Sequence, residues 1–140
     1  PEASEDLLKK DGQEMAAAYD ALFFVIEKHL MMGRSLIACC TLSSKKHGQD
    51  RLATLMARYP DAVLKVILLK LDNEPAMRKR FADRKFGAEY TGATNSPERW
   101  LVLRDRYNAI KLSHLSLDTS ACTPETCADW AVKYILGMIG

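Results

Sequence analysis

The stretch His114-Leu115-Ser116-Leu117-Asp118-Thr119-Ser120-Ala121-Cys122-Thr123-Pro124-Glu125 passes from strand to turn to helix. Its apolar start reads as a short buried strand ending at Asp118. Residues 119–122 are small and polar, as a turn requires. Thr123 can cap a helix, Pro124 suits its first position, and Glu125 suits its positive end. The helix that follows puts Cys127, Trp130, Ala131, Tyr134, Ile135 and Met138 on one face.

Moving outward, residues 96–107 read as a helix opened by Ser96-Pro97-Glu98. Residues 86–95, with Gly87 and Gly92, read as a loop. Asp72-Asn73-Glu74-Pro75 caps a helix running to about residue 85. Residues 63–71 form a strongly apolar strand. Residues 46–59 are helical, with Leu52, Leu55, Met56 and Tyr59 inward. Ser35-Leu36-Ile37-Ala38-Cys39-Cys40 is continuously apolar, the pattern of a strand covered on both faces. Residues 13–32 repeat Met15, Tyr19, Leu22, Ile26 and Leu30 at helical spacing, with Ala18 and Phe23 beside them and Gly33 as the stop. A shorter helix is expected at 3–12, ending near Gly12. Strands alternate with helices throughout. That pattern predicts a single α/β domain over 1–140: a three-layer parallel sheet with helices on both faces and strands near 35–41, 63–71 and 113–118.

Composition narrows the function classes. The 48% hydrophobic and 27% charged fractions describe a folded globule rather than a disordered tail. A formal charge of +2 does not favour nucleic acid as a partner. The longest apolar run, residues 21–26, is far shorter than a membrane span, so no membrane partner is expected. The chain starts acidic and polar, with no secretory signal in view. The four cysteines lack the close pairing on turns that zinc wants, which leaves them as thiols of a reducing cytoplasm and predicts no metal ligands among them. His29, His47 and His114 are too scattered to argue a catalytic triad.

Three segments carry a family resemblance. The first runs through Leu30-Met31-Met32-Gly33-Arg34-Ser35, the apolar strand, and Thr41-Leu42-Ser43-Ser44-Lys45-Lys46-His47. The second is Val66-Ile67-Leu68-Leu69-Lys70-Leu71-Asp72, followed by Arg78, Arg80 and Arg84. The third is Leu117-Asp118-Thr119-Ser120 with Thr123-Pro124-Glu125. In order and spacing they resemble P-loop small-molecule kinases of the nucleoside, sugar and gluconate kinase type. The resemblance implies ATP-dependent phosphoryl transfer, with Mg²⁺, to a hydroxyl of a sugar, sugar acid or nucleoside. Two alternatives stand beside it: a non-catalytic kinase-like binding or assembly module, and a polynucleotide-end kinase.

Two departures matter. None of the seven glycines precedes a lysine, so no Walker A loop can be written in this sequence. Cys39 stands on the strand where many relatives carry an acidic residue, and a thiol serves poorly as a base or metal-linked group near neutral pH. The chain is therefore expected to be a C-terminal portion of a larger domain, inactive alone. In the family the Walker A strand lies between the first two strands read here. Its absence leaves the sheet incomplete unless a missing segment or a second chain fills the gap.

The resemblance also implies a site. Arg84 and Arg80 are the catalytic candidates, as lid arginines that neutralise charge on the transferred group. A solvated basic helix face accounts for them equally simply. Thr119, Ser120 and Cys122 are the nucleotide-binding candidates, in the turn beside adenine; a plain capped turn is the alternative. Thr41, Ser43, Lys45 and Lys46 are candidates for holding the phosphate acceptor, against a simple polar loop.

Overall fold

The computed structural model describes residues 2–40, 48–83, 97–98, 100–101 and 109–140, with side chains from residue 13 onward. They form two compact units, Pro1–Leu64 and Lys65–Gly140.

The first unit is a pair of helices, α1 (Glu2–Met31) and α2 (Asp50–Arg58). On α1, Tyr19, Phe23 and Ile26 are buried, and on α2 Leu52 and Leu55. That spacing is one helical stripe against another. Arg51 pairs with Asp20 at 2.5 Å and lies over the Phe23 ring at 4.8 Å. Arg58 pairs with Glu27 at 2.6 Å. Both partners advance by the same interval, so α1 and α2 run in the same direction.

The first helix differs from expectation. Gly12 does not end it, and one helix spans Glu2–Met31. A single interior glycine weakens a helix by about 1 kcal/mol relative to alanine, too little to break a helix this long. The true stop is Gly33, in the left-handed conformation at φ 63°. Arg34 N–H donates to the His29 carbonyl at 3.0 Å across it.

The strand expected near 35–41 is not formed over its described part. Ser35–Cys40 is irregular and largely exposed, with Ile37 at 89%. An apolar run supplies side chains for a sheet, but a strand exists only where a neighbour pairs its backbone. Among the described residues no chain pairs with this one.

The second unit holds β1 (Val66–Lys70), α3 (Glu74–Asp83), β2 (His114–Asp118) and α4 (Pro124–Ile135). The strands pair in parallel, Val66 opposite His114 and Lys70 opposite Asp118. Parallel neighbours need a long crossover, and here it contains α3. Val66 and Leu117 are buried in the sheet, Met77 on α3 is fully buried, and Tyr134 anchors α4. Lys65 Nζ sits 4.7 Å from the centre of the Tyr134 ring. Residues 97–98 and 100–101 are helical, within the helix expected there. The described residues form one two-stranded parallel sheet with helices, and a three-layer sheet stays a proposal. No helix among the described residues is long and apolar enough to cross a membrane.

Candidate functional site at the carboxyl ends of the strands

Both strands end together, because Lys70 is in register with Asp118. Ligands of open parallel sheets bind beyond this end. Burial falls along β1 toward it, and Leu69 is 62% exposed.

The turn after β2 is fixed from two sides. Thr119 N–H donates to the Lys70 carbonyl at 2.9 Å, and the Thr119 hydroxyl donates to the same oxygen at 3.1 Å. The turn is thus tied to the last residue of β1. Asp118 Oδ1 accepts from Ser120 N–H at 2.8 Å and from the Ser120 hydroxyl at 2.6 Å. This is an Asx turn, in which a carboxylate replaces a backbone acceptor. The helix after it starts as the sequence predicts. Thr123 is extended at the cap, its hydroxyl accepts from Thr126 N–H at 3.2 Å, and Pro124 opens the first turn.

Arg80 reaches this turn from α3. Its Nη1 donates to the Thr119 hydroxyl at 3.0 Å, and its Nη2 donates to the Thr119 carbonyl. The guanidinium therefore clasps the end of β2 in two-pronged fashion. Arg78 does something different. It pairs with Glu74 one helical turn away and with Glu98, both at 2.9 Å. These carboxylates hold its guanidinium strongly protonated. Arg78 ties α3 to the segment at 97–101 and is a structural residue. Lys70 pairs with Asp72 at 2.9 Å, which raises the ammonium above its ordinary value.

Ser120 donation holds the Asp118 carboxyl below its usual range, and Lys70 and Arg80 add to this. A depressed carboxyl contributes stability that is present above the unfolded value, near 3.8, and lost as pH falls through the folded value. Acid unfolding of the second unit should therefore shift upward in Asp118→Asn near and above pH 4, where the wild type keeps this contribution. As pH falls through the depressed folded value the two proteins should converge. Circular dichroism against pH at fixed denaturant checks this; parallel curves at all pH values would show that Asp118 gives nothing to the turn.

Cys122 and Cys127 lie on either side of the start of α4. Partial burial pushes the Cys127 thiol up, and the neighbouring Cys122 thiol adds to it, while Arg80 acts in the opposite direction.

Of the residues singled out by sequence, Arg80, Thr119, Ser120 and Cys122 come together at this one end of the sheet. Arg84, Thr41, Ser43, Lys45 and Lys46 lie outside the described residues. Sequence reasoning passed over Asp118, Cys127 and the Lys70–Asp72 pair. The Asp-x-Ser spacing of 118–120 was the available signal for the first.

Fit to the implied cofactors is uneven. A base would meet a turn in which the N–H groups of Thr119, Ser120 and Ala121 and the Thr119 carbonyl are already hydrogen-bonded within the fold. Phosphate is less well served, since Arg80 is engaged by Thr119 and the sequence has no glycine-lysine loop. For Mg²⁺, no group of three or more His, Cys, Asp or Glu suited to a metal occurs among the described residues. Asp72 and Asp118 are already bound to Lys70 and Ser120. These residues do not fit the metal or the phosphates.

The first unit contributes an open cleft of about 370 Å³ between α1 and α2. Its two arginines are paired with Asp20 and Glu27. It follows the seam of the helix pair.

No family model, curated protein or solved structure matches this chain.

Proposed function

We propose that the carboxyl end of the β1–β2 pair is the base-binding part of an ATP-dependent phosphotransferase acting on a hydroxyl of a small molecule. The observation that carries this reading is the clasp of Arg80 on Thr119, beyond the ends of two parallel strands and before a capped helix. Its support is the general rule for where open parallel sheets bind ligands, together with the order of segments that resembles P-loop kinases. Under this reading Arg80 is a positioning residue: it fixes the turn that would meet the base. Arg84 would face the transferred group. The acceptor would be a sugar, sugar acid or nucleoside, held by residues around Thr41, Ser43, Lys45 and Lys46. Phosphates and Mg²⁺ are assigned to a phosphate loop outside these 140 residues, in a further segment or a second chain. The cytoplasm, where ATP and free thiols are maintained, is the compartment this implies.

A second reading is a kinase-like binding or assembly module without catalysis. It is favoured by one observation: Arg80 and Asp118 both spend their charge inside the turn.

The test is phosphoryl transfer from Mg-ATP to a panel of sugar acids, sugars and nucleosides, using the chain together with its phosphate loop. Turnover that rises with one acceptor class supports the kinase. Nucleotide binding without transfer to any acceptor supports the module. Neither binding nor transfer would remove both readings.

A further inference from the structure

Cap geometry puts two thiols together at the start of α4. Thr123 is the N-cap, its carbonyl already receiving Cys127 N–H at 2.9 Å. Cys122 is therefore the residue just before the cap, and Cys127 is the fourth residue after it. These two positions meet in the hydrophobic staple, where apolar side chains fix the angle at which a chain enters a helix. Here both staple positions are cysteines, both half-buried and both free thiols, and the two thiols act on each other electrostatically. A staple made of thiols has a covalent form that leucine or valine lacks.

We propose that Cys122 and Cys127 are a redox pair whose disulfide locks the β2–α4 turn to its helix. The oxidant is a low-molecular-weight disulfide such as oxidised glutathione. The thiolate of one cysteine attacks a glutathione sulfur, forming a mixed disulfide and releasing one glutathione thiolate. The second cysteine's thiolate then attacks the protein sulfur of that mixed disulfide, closing the intramolecular bond and releasing the second glutathione. Two thiols are oxidised, one disulfide is reduced, and two protons leave the protein. The turn so locked carries Thr119 and Ser120, the partners of Arg80 and Asp118, so oxidation acts on the same strand end whatever binds there. The proposal does not depend on the kinase reading.

Cys39 and Cys40 supply an internal control. They are exposed and adjacent in sequence, and ring closure between neighbouring residues strains the disulfide. The 140-residue chain is equilibrated with glutathione buffers of graded ratio, quenched with acid, alkylated, digested and analysed by mass spectrometry. The same series is run in guanidinium. The expected product is a Cys122–Cys127 link lacking two hydrogen atoms, more oxidised than Cys39–Cys40 at every ratio. Its equilibrium constant in the folded chain should exceed that in denaturant by about tenfold or more, because the cap preassembles the pair. Cys122→Ser should leave Cys127 alkylated or singly glutathionylated. Equal constants in folded and denatured chain would overturn the proposal. So would glutathione adducts that never close, or Cys122 and Cys127 linked instead to Cys39 or Cys40.

Discussion

Arg84→Ala, in the chain with its phosphate loop, is expected to lower kcat by about 10²–10³ while ATP affinity changes little. The proposed role is to meet charge that develops only during transfer, and loss of such a contact appears in turnover. Arg84→Lys should recover only part, because an ammonium lacks the planar two-pronged contact. Arg80→Ala should behave differently. Its guanidinium is committed to Thr119, so under the proposed function its loss should loosen the β2–α4 turn and raise KM for ATP, with kcat nearly unchanged. Arg78→Ala, which breaks an exposed ion-pair bridge, should alter neither by much. Steady-state kinetics of the three variants checks the division. Near-wild-type turnover in Arg84→Ala would remove the lid assignment and favour the non-catalytic module.

Met77→Ala should be the most destabilising single change in the second unit. Met77 is the one described side chain with no exposed surface, at 0%. Truncating a buried methionine removes its transfer free energy and leaves a cavity, together about 2–5 kcal/mol. That is a large part of the stability of a small domain. Met77→Leu keeps most of the volume and should lose less than about 1.5 kcal/mol. Leu69→Ala, at a position 62% exposed, should lose much less than Met77→Ala. Guanidinium titrations of the three would show the ranking. A Met77→Ala midpoint equal to that of Leu69→Ala would mean that α3 does not anchor this unit.

The sequence announced the second unit well, because its signals are local. Thr123-Pro124-Glu125 is a cap, a first-turn proline and an acid in order, and α4 begins there. β2 occupies His114–Asp118 as expected, and β1 lies within the apolar run at 63–71. The helical stripe of Tyr19, Phe23 and Ile26 is buried, although Met15 on the same expected face is 46% exposed. Local patterns fail where structure depends on a distant partner. Ser35–Cys40 has the composition of a strand, but a ladder needs a second backbone and none pairs with it among the described residues. Gly12 looks like a stop, yet a stop also needs a chain that turns. The site was legible in part. Thr119, Ser120 and Arg80 were singled out by an order of segments that resembles P-loop kinases. Their contact, bridging residues far apart in sequence, and the sharing of Asp118 between turn and strand end needed the fold.

The central claim is that the β2–α4 turn meets a nucleotide base. Amide chemical shifts of the isotopically labelled 140-residue chain, titrated with adenosine and separately with Mg-ATP into the millimolar range, test it most directly. The account predicts weak binding, with similar affinity for both ligands because the phosphates lack their loop. The shifts should centre on Thr119, Ser120, Ala121 and Cys122. Arg80→Ala should weaken them. No shift at this turn at saturating ligand, or shifts centred on α1 and α2 instead, would contradict the account.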